Sequence, residues 1–562
     1  MSGAFVAESD RPYSFRSLHD AYMSCRKRKR NTINALRFEA SLLDNLADLG
    51  ETLSSGTYKP SRSVCFVAKQ PKHREIFAAD FRDRVVHHLL VPRIEKVLEP
   101  KFIHDSYACR KDKGTHAAVA RLKTFMNRAT KGGRIPAWFM QLDIRSFFMS
   151  IDREVLLRIL SRHIRAPRIM ALAETIVRQD CTKDFIYKGD PRLLEGIPPH
   201  KSLFHIPPGK GLPIGNLTSQ FFGNVYLNEL DQFVKHELKE EFYLRYVDDF
   251  ILLHRDKEHL LEFKVKIAAF LDEGLSLELK PDMTLKRVSE GANFLGYIVR
   301  PDYVLVRKRV VGNLRARLRR FEKEMVEKCQ SGIGSKCQRK GAEKYFDSNP
   351  TQPPLNPMGG EEGRAVPPLG GKRGLGGVMD LSSFTRIHLR QEKVRQLRQT
   401  LASYLGHFKH ADSYRLIHSL FEKYTYLKDI FAVDEEGHLR PLYEPPFEPA
   451  TLRGQYRWVT ERYNGYCIFF QVGSFCEFYG EQAKRYGKFF GLSPLTPPLS
   501  HKGRGRNVGT LCGFPVRYLK EFKAKAHNAG LPYVVVGERG YYPAGLKKRV
   551  ITEIVRFDGR VL

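Results

Sequence analysis

Apolar residues recur at helical spacing from residue 12 to about residue 60, most clearly in Ile33–Leu36 and Leu42–Leu49, and predict a helical N-terminal extension over 1–60. From Val64 to Val306 short apolar runs alternate with amphipathic stretches, the pattern of one large α+β domain over 61–306. Leu314 to Glu327 is strongly charged and helical in period, and that period resumes from Ser382 to Phe431. A helical region is therefore expected over 307–330 and 382–431. Between these parts, residues 331–381 are rich in Gly and Pro, as in Asn349-Pro350-Thr351-Gln352-Pro353-Pro354 and Gly370-Gly371. Such a stretch buries too little apolar surface to offset chain entropy and reads as a disordered insertion. Pro441, Pro445, Pro446 and Pro449 mark a linker over 441–449. The remainder, 450–562, carries strand-like runs at Tyr466–Val472, Tyr533–Gly537 and Val550–Phe557 and a helix around Leu519–Ala529. It is long enough to form a small domain of its own. No internal repeat is visible.

At 562 residues the length prior is three or four domains, and 42% hydrophobic with 11% aromatic residues excludes wholesale disorder. A net charge of +32 points to a polyanionic partner, because neutralising phosphates releases condensed counterions. An anionic membrane is the rival partner. No run approaches the 18 apolar residues of a membrane span, and Met1 to Arg11 lacks an apolar signal segment, so a cytoplasmic protein is expected. Nine scattered cysteines without a C-x-x-C pair read as reduced core thiols, Cys329 and Cys337 included. The basic run Arg26 to Arg30 reads equally well as a solvated helix face or a phosphate contact.

The sharpest chemical feature is Arg245-Tyr246-Val247-Asp248-Asp249-Phe250-Ile251-Leu252-Leu253. Two adjacent carboxylates inside an apolar strand are costly unless something binds them. A hairpin turn between strands Phe242–Val247 and Phe250–His254, facing a divalent metal, makes sense of the pair. Asp143 has a similar setting, after Trp138-Phe139-Met140-Gln141-Leu142. Side by side, the three would supply hard oxygen ligands for two Mg²⁺ ions about 3.5–4 Å apart. Taken singly, each Asp is an ordinary strand-end residue.

These residues resemble the reverse transcriptases, over about Thr57 to Asp429. Tyr246-Val247-Asp248-Asp249 is similar to the polymerase Tyr-x-Asp-Asp box and Asp143 to the first palm aspartate. The resemblance implies an α+β right-hand polymerase of fingers, palm and thumb, followed by the small C-terminal α/β domain. It makes Asp143, Asp248 and Asp249 catalytic and, with Ile144, ligands of two Mg²⁺ ions, Mn²⁺ being the alternative. Phe148 matches the bulky gate that excludes a 2′-hydroxyl. His73-Arg74-Glu75-Ile76 and Asp80-Phe81-Arg82-Asp83-Arg84 resemble the first fingers motif, and Ser106-Tyr107-Ala108-Cys109-Arg110 opens the second. Arg74, Arg82 and Arg110 are thus expected on the triphosphate, since guanidinium suits bidentate phosphate contact. Phe294-Leu295-Gly296-Tyr297, before a strand pair turning at Pro301-Asp302, looks like the primer grip, with Leu295, Gly296 and Tyr297 its residues. Helices at 308–328 and 382–430 resemble a thumb split by the insertion.

One departure narrows the resemblance. Gly211-Leu212-Pro213-Ile214-Gly215-Asn216-Leu217-Thr218-Ser219-Gln220 falls where most reverse transcriptases carry Gln-Gly-x-x-x-Ser-Pro. Ile214 replaces the Gln and Gln220 the Pro, a pair similar to the reverse transcriptases of diversity-generating retroelements. Ile214, Gly215 and Gln220 are expected beside the nucleotide. An apolar Ile gives up hydrogen bonds that align template and nucleotide, and each ~1.4 kcal/mol lost is tenfold in selectivity. That family implies error-prone copying of a template RNA into cDNA and a small basic accessory protein as partner. A reverse transcriptase of a phage-defence system and a catalytically silent RNA-binding scaffold are the alternatives.

Gly473-Ser474-Phe475-Cys476-Glu477, following the strand at Cys467, is similar to the mismatch-recognition domain of the DNA repair protein MutS, with its Gly-x-Phe-x-Glu signature. Phe475 matches the wedge and Glu477 the base-bonding carboxylate. A wedge favours sites where stacking is already weak, and a carboxylate near DNA implies a specific base-edge bond. No Gly-x-x-x-x-Gly-Lys-Ser/Thr loop is present, so ATP binding is not expected. The basic run His501 to Arg506 suits backbone phosphates or solvent alike. Together the readings predict an RNA-directed DNA polymerase of bacterial, archaeal or phage origin. Its expected partners are template RNA, cDNA/DNA duplex and deoxynucleoside triphosphates, with no membrane.

Overall fold

The computed structural model describes residues 13–27, 32–68, 73–329, 383–434, 436–445, 451–493, 510–543 and 545–557. The Gly/Pro-rich stretch 331–381, Cys337, Arg28 to Arg30, Pro446, Pro449 and the basic run 501–506 lie outside the described residues. The chain divides into two compact units, Met1–Arg307 with His410–Asp412, and Lys308–Lys409 with Ser413–Leu562.

The first unit contains β1 Ser63–Ala68, β2 Arg74–Ala78, β3 Trp138–Asp143, β4 Phe185–Tyr187, β5 Tyr243–Tyr246, β6 Asp249–His254, β7 Thr284–Arg287, β8 Ala292–Phe294, β9 Tyr297–Val299 and β10 Val304–Val306. They form sheets ordered β5-β6-β3-β7, β2-β1-β4 and β10-β9-β8. The first is the sheet expected to form the palm. Its central strand β6 is apolar at every interior position because both faces are covered. Phe250 and Leu252 enter one core, with Phe81 and Tyr226, while Ile251 and Leu253 enter another, with Phe125 and Tyr297. The N-terminal helices Phe15–Arg26, Ile33–Ala40 and Leu42–Ser55 bury Leu18, Tyr22, Leu46 and Leu49 in that first core. The extension is thus built into the core of the first unit.

The second unit begins with the helix Lys308–Met325 and adds β11 Val326–Cys329, β12 Phe384–His388, the helices Gln391–Phe408 and Tyr414–Lys423, and the hairpin β13 Phe431–Val433 with β14 Leu439–Pro441. It continues through β15 Cys467–Val472, β16 Phe475–Tyr479, β17 Leu511–Pro515, β18 Tyr533–Tyr541 and β19 Lys547–Phe557. One seven-stranded sheet runs β11-β12-β19-β18-β15-β16-β17.

Two expectations are corrected here. The region 307–330 and 382–431 is not helical throughout, because 326–329 and 384–388 are strands. In Phe384-Thr385-Arg386-Ile387-His388, Thr385 and Ile387 are buried and their neighbours less so, a two-residue period. The second concerns 450–562, whose sheet is not confined to that segment. β12 pairs with β19 from Phe384↔Phe557 to His388↔Glu553, so the sheet of the C-terminal part is completed by strands that flank the helices. Arg386 bonds Glu327 at 2.9 Å, and Arg556 bonds Asp429 at 3.0 Å.

Candidate active site

Tyr246 and Asp249 pair across the β5–β6 hairpin, which leaves Val247-Asp248 as a two-residue loop with Val247 at φ +57°. Tight hairpins of this kind require left-handed backbone. On the other side of β6, Asp143 stands directly opposite Asp249. The Ile144 amide donates to the Asp248 carbonyl at 3.3 Å, tying the turn to the end of β3. The sheet therefore brings Asp143, Asp248 and Asp249 to one edge.

Their electrostatics follow from crowding. Burial, then the Asp143 carboxylate, push Asp248 up to about 6, with Lys280 and Arg74 pulling the other way. Burial likewise pushes Asp249 up to about 7; hydrogen bonds from Gln141 oppose it, and Asp143 and Asp248 add to it. Gln141 Nε2 donates to both oxygens of Asp249, at 2.9 and 3.1 Å. Lys280 Nζ bonds Asp143 Oδ2, while Oδ1 is buried with no partner. Among the described residues no group of three or more His, Cys, Asp or Glu side chains is arranged to hold a metal ion. The carboxylates are held by Lys280 and Gln141 instead. Crowded, half-neutralised carboxylates with an orphaned oxygen fit a hard divalent cation.

Asp248, Asp249 and Ile144 open onto a cleft of about 940 Å³ that Arg74, Phe148, Ile214, Gly215, Gln220 and Leu295 also line. Gly215 has φ +122°, and a Cβ there would stand 2.8 Å from Ile76 Cγ2. The loop is pinned to β2: Phe77 N donates to Ile214 O at 3.0 Å and Ala79 N to Asn216 Oδ1 at 3.0 Å. The Ile214 side chain packs with Phe148 on an apolar cluster of Cys65, Phe77 and Met149. Leu295 and Gly296, at φ +49° and +93°, form the two-residue turn between β8 and β9. Tyr297 is buried behind them, its hydroxyl 3.2 Å from His116 Nδ1.

Two expected triphosphate ligands stand elsewhere. Arg110, its side chain 7% exposed, donates to Glu99 at 2.8 Å and to the carbonyls of Ile103 and Ser106 at 2.7 and 2.9 Å. Arg82 lies over the Tyr58 ring, 3.5 Å from Asp48 and 3.7 Å from Asp83. Neither lines the cleft, since each is spent on an acidic partner of its own. Arg145 and Lys280 do line it and were missed. The alternation Leu275-Ser276-Leu277-Glu278-Leu279-Lys280 was legible as extended chain. Nothing in its spacing shows that Lys280 N reaches Asp143 O at 2.9 Å and Arg145 N reaches Glu278 O at 2.8 Å.

In the second unit, Val472 pairs with Phe475 around Gly473-Ser474, with Gly473 at φ +58°. Phe475 is left 40% exposed at the head of β16. Glu477, on the same strand, accepts a hydrogen bond from the Tyr479 hydroxyl. The turn is braced by Glu538, which accepts from Gly473 N at 2.9 Å and from Arg549 Nη2 at 2.8 Å. Gly513 allows β17 to close on β16, because a Cβ there would lie 2.5 Å from Cys476 O. Among the described residues Cys65, Cys181, Cys467, Cys476 and Cys512 are free and buried, whereas Cys109 is free and exposed. No helix among the described residues is long and apolar enough to cross a membrane.

Residues 67–299 match the family model for reverse transcriptase (RNA-dependent DNA polymerase), and residues 450–556 match MutS domain I. The chain is 24% identical to protein YkfC of Escherichia coli over 303 residues, 47% of this chain and 74% of that relative. It is also 24% identical to the group II intron-encoded protein LtrA of Lactococcus lactis over 316 residues, but spans 49% of that relative's length. The DNA mismatch repair protein MutS of Flavobacterium johnsoniae is 32% identical over 107 residues, 18% of this chain and 12% of that protein. Among solved structures, apo telomerase from Candida tropicalis aligns at 13% identity over 44% of this chain and 55% of that one. Its TM-score of 0.33 is a likeness too slight to build on.

Proposed function

We propose that this chain, in which a reverse-transcriptase domain is joined to a MutS domain I module, is an RNA-directed DNA polymerase that copies a template RNA into cDNA. The observation that carries the reading is the register of Asp143 against Asp249 with Asp248 at the adjoining turn, Asp248 and Asp249 lining one cleft. Asp143, Asp248 and Asp249, with Ile144 beside them, would hold two Mg²⁺ or Mn²⁺ ions. When bound, these supply the charge that activates a primer 3′-hydroxyl and stabilises the departing pyrophosphate. Arg74, exposed on the cleft wall, contacts the triphosphate, and Phe148 stands against the sugar. Leu295, Gly296 and Tyr297 seat the primer end, with helices 308–325 and 391–408 as the thumb. The test is primer extension on a defined RNA with each cation. Retention of RNA without any extension would favour the silent scaffold.

The error-prone, retroelement reading rests on Ile214 and Gln220. Ile214 and Phe148 both pack on the same apolar cluster, so at position 214 the cleft offers the nucleotide an apolar side chain where a Gln would offer a donor and an acceptor. The Ile214→Gln variant is expected to lower misincorporation roughly 3- to 10-fold, measured by sequencing the cDNA. An unchanged error spectrum, or a uniformly low one in the parent protein, would move the chain to a faithful system such as phage defence. A small basic accessory protein and a structured template RNA are the partners this reading implies.

Phe475 and Glu477 are proposed to hold mismatched duplex, the ring wedged at the weak step and the carboxylate on a base edge. Base–aromatic stacking is worth about 1–3 kcal/mol, so Phe475→Ala should weaken binding to a mismatched duplex about tenfold. Binding to matched duplex should change little. Equal losses on both duplexes would remove the mismatch assignment.

A further inference from the structure

We propose that Arg245 is a positioning residue for the Asp248–Asp249 turn and acts through the carbonyl of Val247; the inference rests on the polymerase reading of the cleft. Arg245 lies in β5, and its side chain is 1% exposed. Its guanidinium is fully engaged. Nε and Nη2 donate to the two oxygens of Asp231 at 2.8 and 2.6 Å, and Nη2 also to Ser106 Oγ at 3.1 Å. Nη1 donates to Asn224 Oδ1 at 3.3 Å and to Val247 O at 2.9 Å.

The ion pair with Asp231 does not by itself explain an arginine here. A buried pair can often be replaced by packed apolar side chains without loss of stability. The bond to Val247 is different in kind. Val247 is β-branched and sits at φ +57°, a conformation that persists only where the surroundings over-determine it. Arg245 fixes the peptide before Asp248 through the Val247 carbonyl, and Ile144 N fixes the one after it through the Asp248 carbonyl. With both peptides held, the Asp248 carboxylate has one aim. Lysine cannot do the same, because only the planar fork reaches Asp231, Ser106 and Val247 together.

The same guanidinium joins the turn to the rest of the cleft. Arg245 N donates to Asp105 O and Tyr107 N to Arg245 O, each at 2.9 Å, so the fingers segment runs beside β5. Asn224, on the helix Leu217–Gln232 and on the cleft wall, donates to Ala108 O at 2.7 Å. Fingers, helix and turn thus share one buried hub.

The test uses the full-length protein and reads Mn²⁺ binding by electron paramagnetic resonance without nucleic acid, beside the Mg²⁺ requirement of primer extension. Arg245→Lys should weaken Mn²⁺ binding about tenfold and raise the Mg²⁺ requirement equally, with RNA–DNA affinity within about twofold. Adding Val247→Gly should recover most of the loss, since glycine adopts the left-handed turn without the clamp. Arg245→Met with Asp231→Asn removes the charges together, leaves an acceptor for the Tyr243 hydroxyl, and should show the same weakening and rescue. Parent-like Mn²⁺ binding in both clamp-less variants, or no rescue by glycine in either, would overturn the assignment. A parent protein that binds Mn²⁺ but extends no primer would instead overturn the polymerase reading.

Discussion

Replacing Asp248 by Ala is expected to lower primer extension on an RNA template roughly 10³-fold or more, with RNA affinity within about twofold of the parent. Asp248 occupies the turn at the sheet edge, and its carboxyl is pushed up to about 6 by burial and by Asp143. A carboxylate kept at such a cost to itself is there to meet positive charge. On the proposed reading, removing it would delete one of three anionic ligands at the point where the reacting phosphate gathers charge. RNA, by contrast, is held by many exposed lysines and arginines spread over a chain of net charge +32, so one lost carboxylate hardly matters to it. Parallel gel-shift and extension assays separate the two. Loss of RNA binding along with extension would mean that the turn supports the fold rather than the chemistry.

Phe148→Ala is expected to raise ribonucleotide incorporation relative to deoxynucleotide by roughly 10- to 100-fold, read from single-nucleotide kinetics. The ring is held in place from behind. It lies 5.2 Å from the Phe147 ring, and both rings press on Gly223, where an added Cβ would stand 3.2 Å from Phe147 and 3.4 Å from Phe148. A side chain so backed cannot retreat from a 2′-hydroxyl. Truncating it opens room that a ribose can fill, and because the loss is steric, deoxynucleotide KM should change less than ribonucleotide KM. An unchanged preference would leave Phe148 as packing alone.

How much of this was legible from sequence depended on whether the physics was local. The Asp pair was readable because carboxylates inside an apolar run have few tolerable fates, and Asp143 because it repeats that anomaly. Gly215 was placed by the motif it shares with reverse transcriptases, and its left-handed φ of +122° shows only in the fold. Arg74, Arg82 and Arg110 looked equivalent because a motif shows a charge but not what the charge touches. Glu99 claims Arg110, and Asp48 and Asp83 flank Arg82, through contacts that only folding creates. Lys280 and Arg245 were passed over for the mirror reason, their roles lying in partners far along the chain. The strands at 326–329 and 384–388 were read as helix because their pairing is distant in sequence: β11 pairs with β12 across the insertion, and β12 with β19 near residue 557.

The continuity of that sheet bears on how the protein can be handled and how it moves. Severing the chain near residue 449 would not subtract a passenger. It would strip β12 of its neighbour and leave a bare row of amides and carbonyls beside the helices, an invitation to aggregate. By the same token, any swing of those helices carries the β12–β19 seam with it. Phe475, in the same sheet, then moves with those helices instead of hanging from them on a tether.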